Sequence, residues 1–156
     1  QVLSAGVGKQ FGPDPPPEGV EGNNDSIVFR ITYGGVSYML TADAEFFVEH
    51  YIMDAYGPSG VRSDLLQVAH HASDDATSEF WLENVDPRVC LISNAMVEAA
   101  LLKEVVLQGI RAVDADYLVT DRIIPNTPRD AEPTYGNIIA ITDGETIEVV
   151  TEEHDW

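Results

Sequence analysis

Two short runs constrain this chain most: "DLLQVA" at 64–69 and "RVCLIS" at 88–93. Each is nearly all apolar over a length that suits a strand and is too short for a helix of its own. A strand that is apolar on both faces must be covered on both, which is the situation of strands inside a layered α/β sheet. Segments of helical period lie around them. "AEFFVEHYIMDAYG" (44–57) sets Phe46, Phe47, Tyr51 and Ile52 at helical spacing and stops at Gly57. "TSEFWLENV" (77–85) is a short helix with Thr77 as candidate N-cap and no capping-box glutamate three residues on. "MVEAALLKEVVLQG" (96–109) is amphipathic and ends at Gly109.

Two further signals are hairpins. "SIVFRITYGGVSYMLTAD" (26–43) reads as two strands joined at Gly34-Gly35, and "NIIAIT" and "TIEVV" flank Asp143-Gly144. "YLVTD" (117–121) is one more strand. Strands alternating with helices give an α/β fold, and the hairpins make its sheet mixed. The expected organisation is one domain over 1–156, with Pro- and Gly-rich loops at 12–25 and 122–136.

The 156 residues carry 27 acids against 8 bases, a net charge of −19. That balance excludes a basic groove for nucleic acid and docking on an anionic membrane. It still admits a small anionic substrate held through a metal. So acidic and lysine-poor a chain is similar to proteins of high-salt cytoplasm, and a halophilic, cytoplasmic setting is expected. No apolar run approaches the ~20 residues that span a bilayer. The one cysteine, Cys90, rules out an internal disulfide and a zinc knot, and its place in "RVCLIS" makes it inert packing.

The chemistry collects at two strand ends. Asp43 follows an apolar strand and precedes a helix, and His70 follows the next apolar strand 27 residues on. A strand–helix–strand unit brings both to one rim of the sheet. There a carboxylate and an imidazole could bind a transition metal, form a hydrogen-bonded pair with no metal, or simply be neighbours. His71 stands beside His70. Asp74 and Asp75 follow in a loop read as solvated; His50 and His154 read as surface, and Asp64 as a cap or a solvated residue, or one that orients the histidine loop.

The order "NNDSIVFRITYGGVSYMLTAD", "DLLQVAHHAS", "PRVCLIS" and "YLVTD…GNIIAITDG" resembles the second half of a metallo-β-lactamase-fold hydrolase of the ComEC-like competence group. That group shows N-N-x-S before a strand, L-L-T-G-D after it, a strand ending H-H-G-S, and a closing T-D-x-x-G-x-I hairpin. The resemblance covers roughly 23–92 and 117–150. It implies the carboxy-terminal half of an αββα sandwich, with helices covering one face of the sheet. It also implies a metal-dependent hydrolase of phosphoesters or related esters, which in a competence-type protein could act outside the cytoplasm. By the same resemblance Asp43 and His70 are metal ligands, His71 is the catalytic residue facing substrate, and the metal is one or two zinc ions, or manganese. Asn23, Asn24 and Ser26 match N-N-x-S, either pinning a loop or touching substrate, and Asp121 matches the closing turn.

The departures are specific. Alanine replaces glycine at Ala42 and Ala72, which costs about 1 kcal/mol wherever φ is positive. The family's histidine-bearing loop after "CLIS" is "NAMVEAALL" here, and its H-x-H-x-D-H string is absent. Two ligands hold zinc weakly, because a catalytic site uses about three. An amino-terminal half or a second chain would supply the rest. The alternative from another class is a non-catalytic α/β module for packing or partner binding.

Overall fold

Side chains alternate strictly between two environments along the central strands. Leu66, Cys90, Ile92 and Val119 point to one face, while Leu65, Leu91 and Leu118 point to the other. The computed structural model describes residues 1–5, 22–94, 102–120, 132–133 and 136–152. The elements run β1 (Val2–Ser4), β2 (Val28–Tyr33), β3 (Val36–Leu40), α1 (Phe46–Val61), β4 (Leu65–Gln67), α2 (Glu79–Val85), β5 (Val89–Ile92), α3 (Glu104–Ala112), β6 (Asp116–Val119), β7 (Glu132–Pro133), β8 (Asn137–Thr142) and β9 (Ile147–Glu152).

Strands β1 to β7 form one sheet in sequence order. The β1–β2 and β2–β3 pairs are antiparallel, and every pair from β3 to β7 is parallel. The fold is therefore mixed α/β. The second hairpin departs from the single mixed sheet expected: β8 and β9 pair only with each other and form a separate two-stranded layer.

The three α-helices among the described residues cover one face. Val48 and Ile52 of α1, Trp81, Leu82 and Val85 of α2, and Val106, Leu107 and Ile110 of α3 pack on Val28, Met39, Leu66 and Ile92. Each such side chain contributes roughly 1.5–3 kcal/mol by leaving water. Ile138, Ile147 and Val149 of the β8–β9 hairpin cover the other face. Both faces of β4 and β5 are thus covered, which is why "DLLQVA" and "RVCLIS" are nearly all apolar. Cys90 is fully buried and its thiol is pushed up to about 12 by that burial, so it is packing.

Local details correct several expectations. Phe46 is largely exposed, and Val48 takes the inward position on α1. Gly57 does break the helix: at φ 64° it separates a longer piece from a short turn holding Pro58. The cap of α2 is Ser78, whose Oγ accepts from Trp81 N at 3.0 Å; Thr77 sits outside the helix at φ 54°. Gly109 lies inside α3, which runs on to Ala112. Gly34 turns β2 into β3 at φ 58°, and a Cβ there would lie 2.4 Å from the Gly144 carbonyl oxygen. The two hairpin turns therefore touch, with Gly35 N donating to that carbonyl. Most of the loops at 12–25 and 122–136, the start of the 96–109 segment, Asp121 and His154 lie outside the described residues. Among the described residues no helix is long and apolar enough to cross a membrane.

Candidate functional site

Because β3 and β4 are parallel neighbours, the turns that follow them open on the same rim. His70 N donates to the Ala42 carbonyl at 3.1 Å, which ties the two turns together. Both turns are left-handed. Ala42 has φ 49°, and His70, His71 and Ala72 follow one another at 46°, 56° and 68°. L-residues pay roughly 1–2 kcal/mol each for that region. Ala42 and Ala72 are the two positions where the sequence pattern sets alanine in place of glycine, so the conformation there is one that glycine adopts without strain.

Three further elements hold the run of strained residues. The Gln67 side-chain carbonyl accepts from Thr41 N and Ala42 N, at 3.0 and 2.9 Å. The Asn94 amide donates to the His71 carbonyl at 3.0 Å. Ala69 N donates to Thr77 Oγ1 at 2.9 Å, closing the loop on itself.

The two imidazoles have different partners. His71 Nδ1 lies 2.6 Å from the Ser93 carbonyl oxygen. A carbonyl only accepts, so Nδ1 carries a proton, and in the neutral ring the lone pair falls on Nε2. That Nε2 faces Asp43 Oδ1 at 3.8 Å. The gap is too long for a hydrogen bond. Two ligand atoms on one tetrahedral zinc lie roughly 3.4 Å apart at ordinary bond lengths. A neutral imidazole lone pair and a carboxylate are donors of the type zinc and manganese accept. The donor chemistry therefore fits a divalent metal.

His70 is held otherwise. Its Nδ1 meets Asp75 Oδ1 at 2.9 Å, and its Nε2 is 3.4 Å from the Asn23 amide nitrogen. Asp75 is thus a hydrogen-bond partner, beyond the solvated residue expected. One donor atom each of Glu45, His70 and Asp75 lie within 4.8 Å of one another. Glu45 accepts from Asn23 at 3.0 Å and from Asn24 at 2.7 Å, while Asp43 N donates to Ser26 Oγ at 3.3 Å. The N-N-x-S residues therefore pin the rim.

The rim gathers Asp43, His70 and His71, with Asp43 nearest the second histidine of the pair. Asp64 is elsewhere, accepting from the Ser37 amide and hydroxyl at the opposite edge. His50 is exposed and stacks on Phe80 with ring centroids 4.9 Å apart. Glu45, Gln67, Ser93 and Asn94 were not read from the sequence as site residues. Gln67 had a signal, being the polar interruption of an apolar strand; Ser93 acts through its carbonyl, which no sequence pattern marks.

The chain is similar to segments of bacterial competence proteins. It is 33% identical over 81 residues to ComE operon protein 3 of Bacillus subtilis, covering 52% of this chain and 10% of that one. It is 39% identical over 72 residues to Recombination protein 2 of Haemophilus influenzae, covering 46% and 9%. With Competence protein ComA of Neisseria gonorrhoeae the identity is 27% over 117 residues, 74% of this chain and 17% of the relative. The chain thus spans about a tenth to a sixth of the length of these relatives. No family profile matches it.

Proposed function

We propose that this chain is the carboxy-terminal half of a metallo-β-lactamase-like sandwich, serving a metal-dependent hydrolase of phosphoesters or related esters in a competence-type protein. The observation that carries the reading is Asp43 facing the Nε2 of His71, with the proton fixed on Nδ1 by the Ser93 carbonyl. Left-handed backbone at Ala42 and Ala72, where the resembling family has glycine, supports it.

In this reading Asp43 and His71 hold the metal. A bound zinc or manganese supplies Lewis acidity and an activated water near neutral pH. His70, oriented by Asp75 and Asn23, faces the substrate. The sequence resemblance gives His70 the ligand role and His71 the substrate, so the two assignments separate experimentally. Two donors fall short of the three a catalytic zinc uses. Glu45 and Asp75 stand close by, and a further segment of polypeptide or a second chain supplies the remainder. A phosphoester approaching so acidic a surface needs the metal or salt to screen repulsion.

The test is metal-dependent hydrolysis of bis(p-nitrophenyl) phosphate with zinc or manganese present. Asp43→Ala and His71→Ala are each expected to lower turnover at least tenfold, with His70→Ala raising KM more than it lowers kcat. Because this chain offers two donors, the assay uses the longer protein or the second chain that supplies the rest. If that assembly shows no metal-dependent turnover, the hydrolase reading gives way to the non-catalytic packing or partner-binding module.

A further inference from the structure

Among the described residues one charged side chain is buried: Glu49, at 3% exposure. A carboxylate placed there costs free energy unless its hydrogen bonds are met, and all its recorded partners lie in one short stretch. Glu49 projects from α1 to the start of α2. Its carboxylate accepts from Ser78 N at 3.2 and 3.3 Å and from Ser78 Oγ at 2.5 Å. The Thr77 amide also donates to it. In a capping box a glutamate three residues into a helix accepts from the N-cap amide. That position on α2 is Trp81, so a glutamate of another helix takes the role.

The stretch it grips closes the loop carrying both rim histidines. Thr77 Oγ1 accepts from Ala69 N, at the other end of that loop. Phe46 N, three residues before Glu49, donates to the carbonyl of Asp75, the partner of His70. The strained residues His70 to Ala72 thus lie between Ala69, held by Thr77 Oγ1, and Asp75, held by Phe46 N of α1.

We propose that Glu49 is a positioning residue for this rim: through Thr77 and Ser78 it sets the 69–78 loop and so the orientation of the His70 and His71 imidazoles. Its purpose rests on the hydrolase reading above, while its geometry does not. Among the described residues the recorded partners of the Glu49 carboxylate are Thr77 and Ser78, not Asp43, His70 or His71. It fixes the frame within which Ser93 and Asp75 meet the two rings.

The test reads the imidazole nitrogens directly by long-range proton–nitrogen-15 spectra of the 156-residue chain, without metal. In Glu49→Ala the protonated Nδ1 signature of His71 is expected to average toward a tautomer mixture. The His70 signals move with it, and exposed His50 stays still. Glu49→Gln keeps an acceptor for the Ser78 amide and is expected to restore the wild-type pattern. Unmoved His70 and His71 signals in a folded Glu49→Ala overturn the proposal, as does equal disturbance by Ala and Gln. Should Glu49→Ala not fold, Ser78→Ala decides: the same two rings must move, and unmoved rings overturn it. Zinc binding gives a separate readout, with about tenfold weaker affinity expected in Glu49→Ala. If the unaltered chain binds no zinc, the hydrolase reading fails while the imidazole spectra still judge Glu49.

Discussion

The two ends of the parallel strands solve the same problem differently. At the end where the strands begin, the charged groups are hydrogen-bonded or paired in place. Arg62 pairs with Asp86, Arg30 donates to the Arg62 carbonyl and Ser63 Oγ, and Asp64 is satisfied by Ser37. Left-handed residues there, Asp86 and Asp114, lie at helix ends, where aspartate is tolerated. At the end where the strands finish, Ala42 and the run His70–Ala72 are left-handed without that excuse, and Asp43 faces an imidazole nitrogen across 3.8 Å. Strain and a cluster of carboxylates and imidazoles gather on one rim, while the left-handed residues of the other lie at helix ends. Backbone strain of this kind is held at functional sites when surrounding structure over-determines it. Ligand sites of open α/β sheets also lie beyond the carboxyl ends of the strands.

Substitutions can break or sharpen that contrast. The largest expected effect is indifferent to it: Leu66→Ala, fully buried in β4 between the two rims, should cost 2–5 kcal/mol in urea unfolding, destabilising both. Glu49 comes next. Burial pushes its carboxyl up to about 7, above its ordinary 4.5, so the folded chain binds that proton more tightly than the unfolded one. Its contribution is therefore complete below the ordinary value and is lost as pH rises to about 7. Relative to Glu49→Gln, the wild type should lose on the order of 2–3 kcal/mol between about pH 5 and pH 8.

Smaller effects separate the rims. Ala42→Gly and Ala72→Gly should each stabilise by about 0.5–1 kcal/mol, strain relief exceeding the entropy added to the unfolded chain. Asp114→Gly, at the settled rim, should change stability by only a few tenths of a kcal/mol. Equal gains at all three sites in thermal unfolding would remove the contrast. A comparably small effect is expected from Arg62→Ala: its pair with Asp86 is exposed, so only a few tenths of a kcal/mol are at stake. The imidazole spectra should not move at all.

Much of this was legible in the sequence. Strands apolar on both sides announced a sheet covered twice, and the spacing of Asp43 and His70 put their turns on one rim. What stayed hidden has a physical cause. Left-handed turns are usually betrayed by glycine, and here alanine and histidine occupy them. Successive residues of such a run point in different directions, so which imidazole meets Asp43 depends on a rotation that spacing does not carry. The partners also include a backbone carbonyl at Ser93 and a glutamate at position 49, two elements away from the loop it holds. The separate β8–β9 layer was missed because a hairpin pattern states its own pairing and not the sheet it joins.

The most direct test of the rim is a zinc titration followed at the nitrogens of His50, His70, His71 and His154 in the intact chain. The account predicts a saturable shift centred on His71 Nε2, with His50 and His154 unmoved, and its loss in Asp43→Asn. Zinc shifts shared evenly among the four rings, or a His71 response that survives Asp43→Asn, would contradict it.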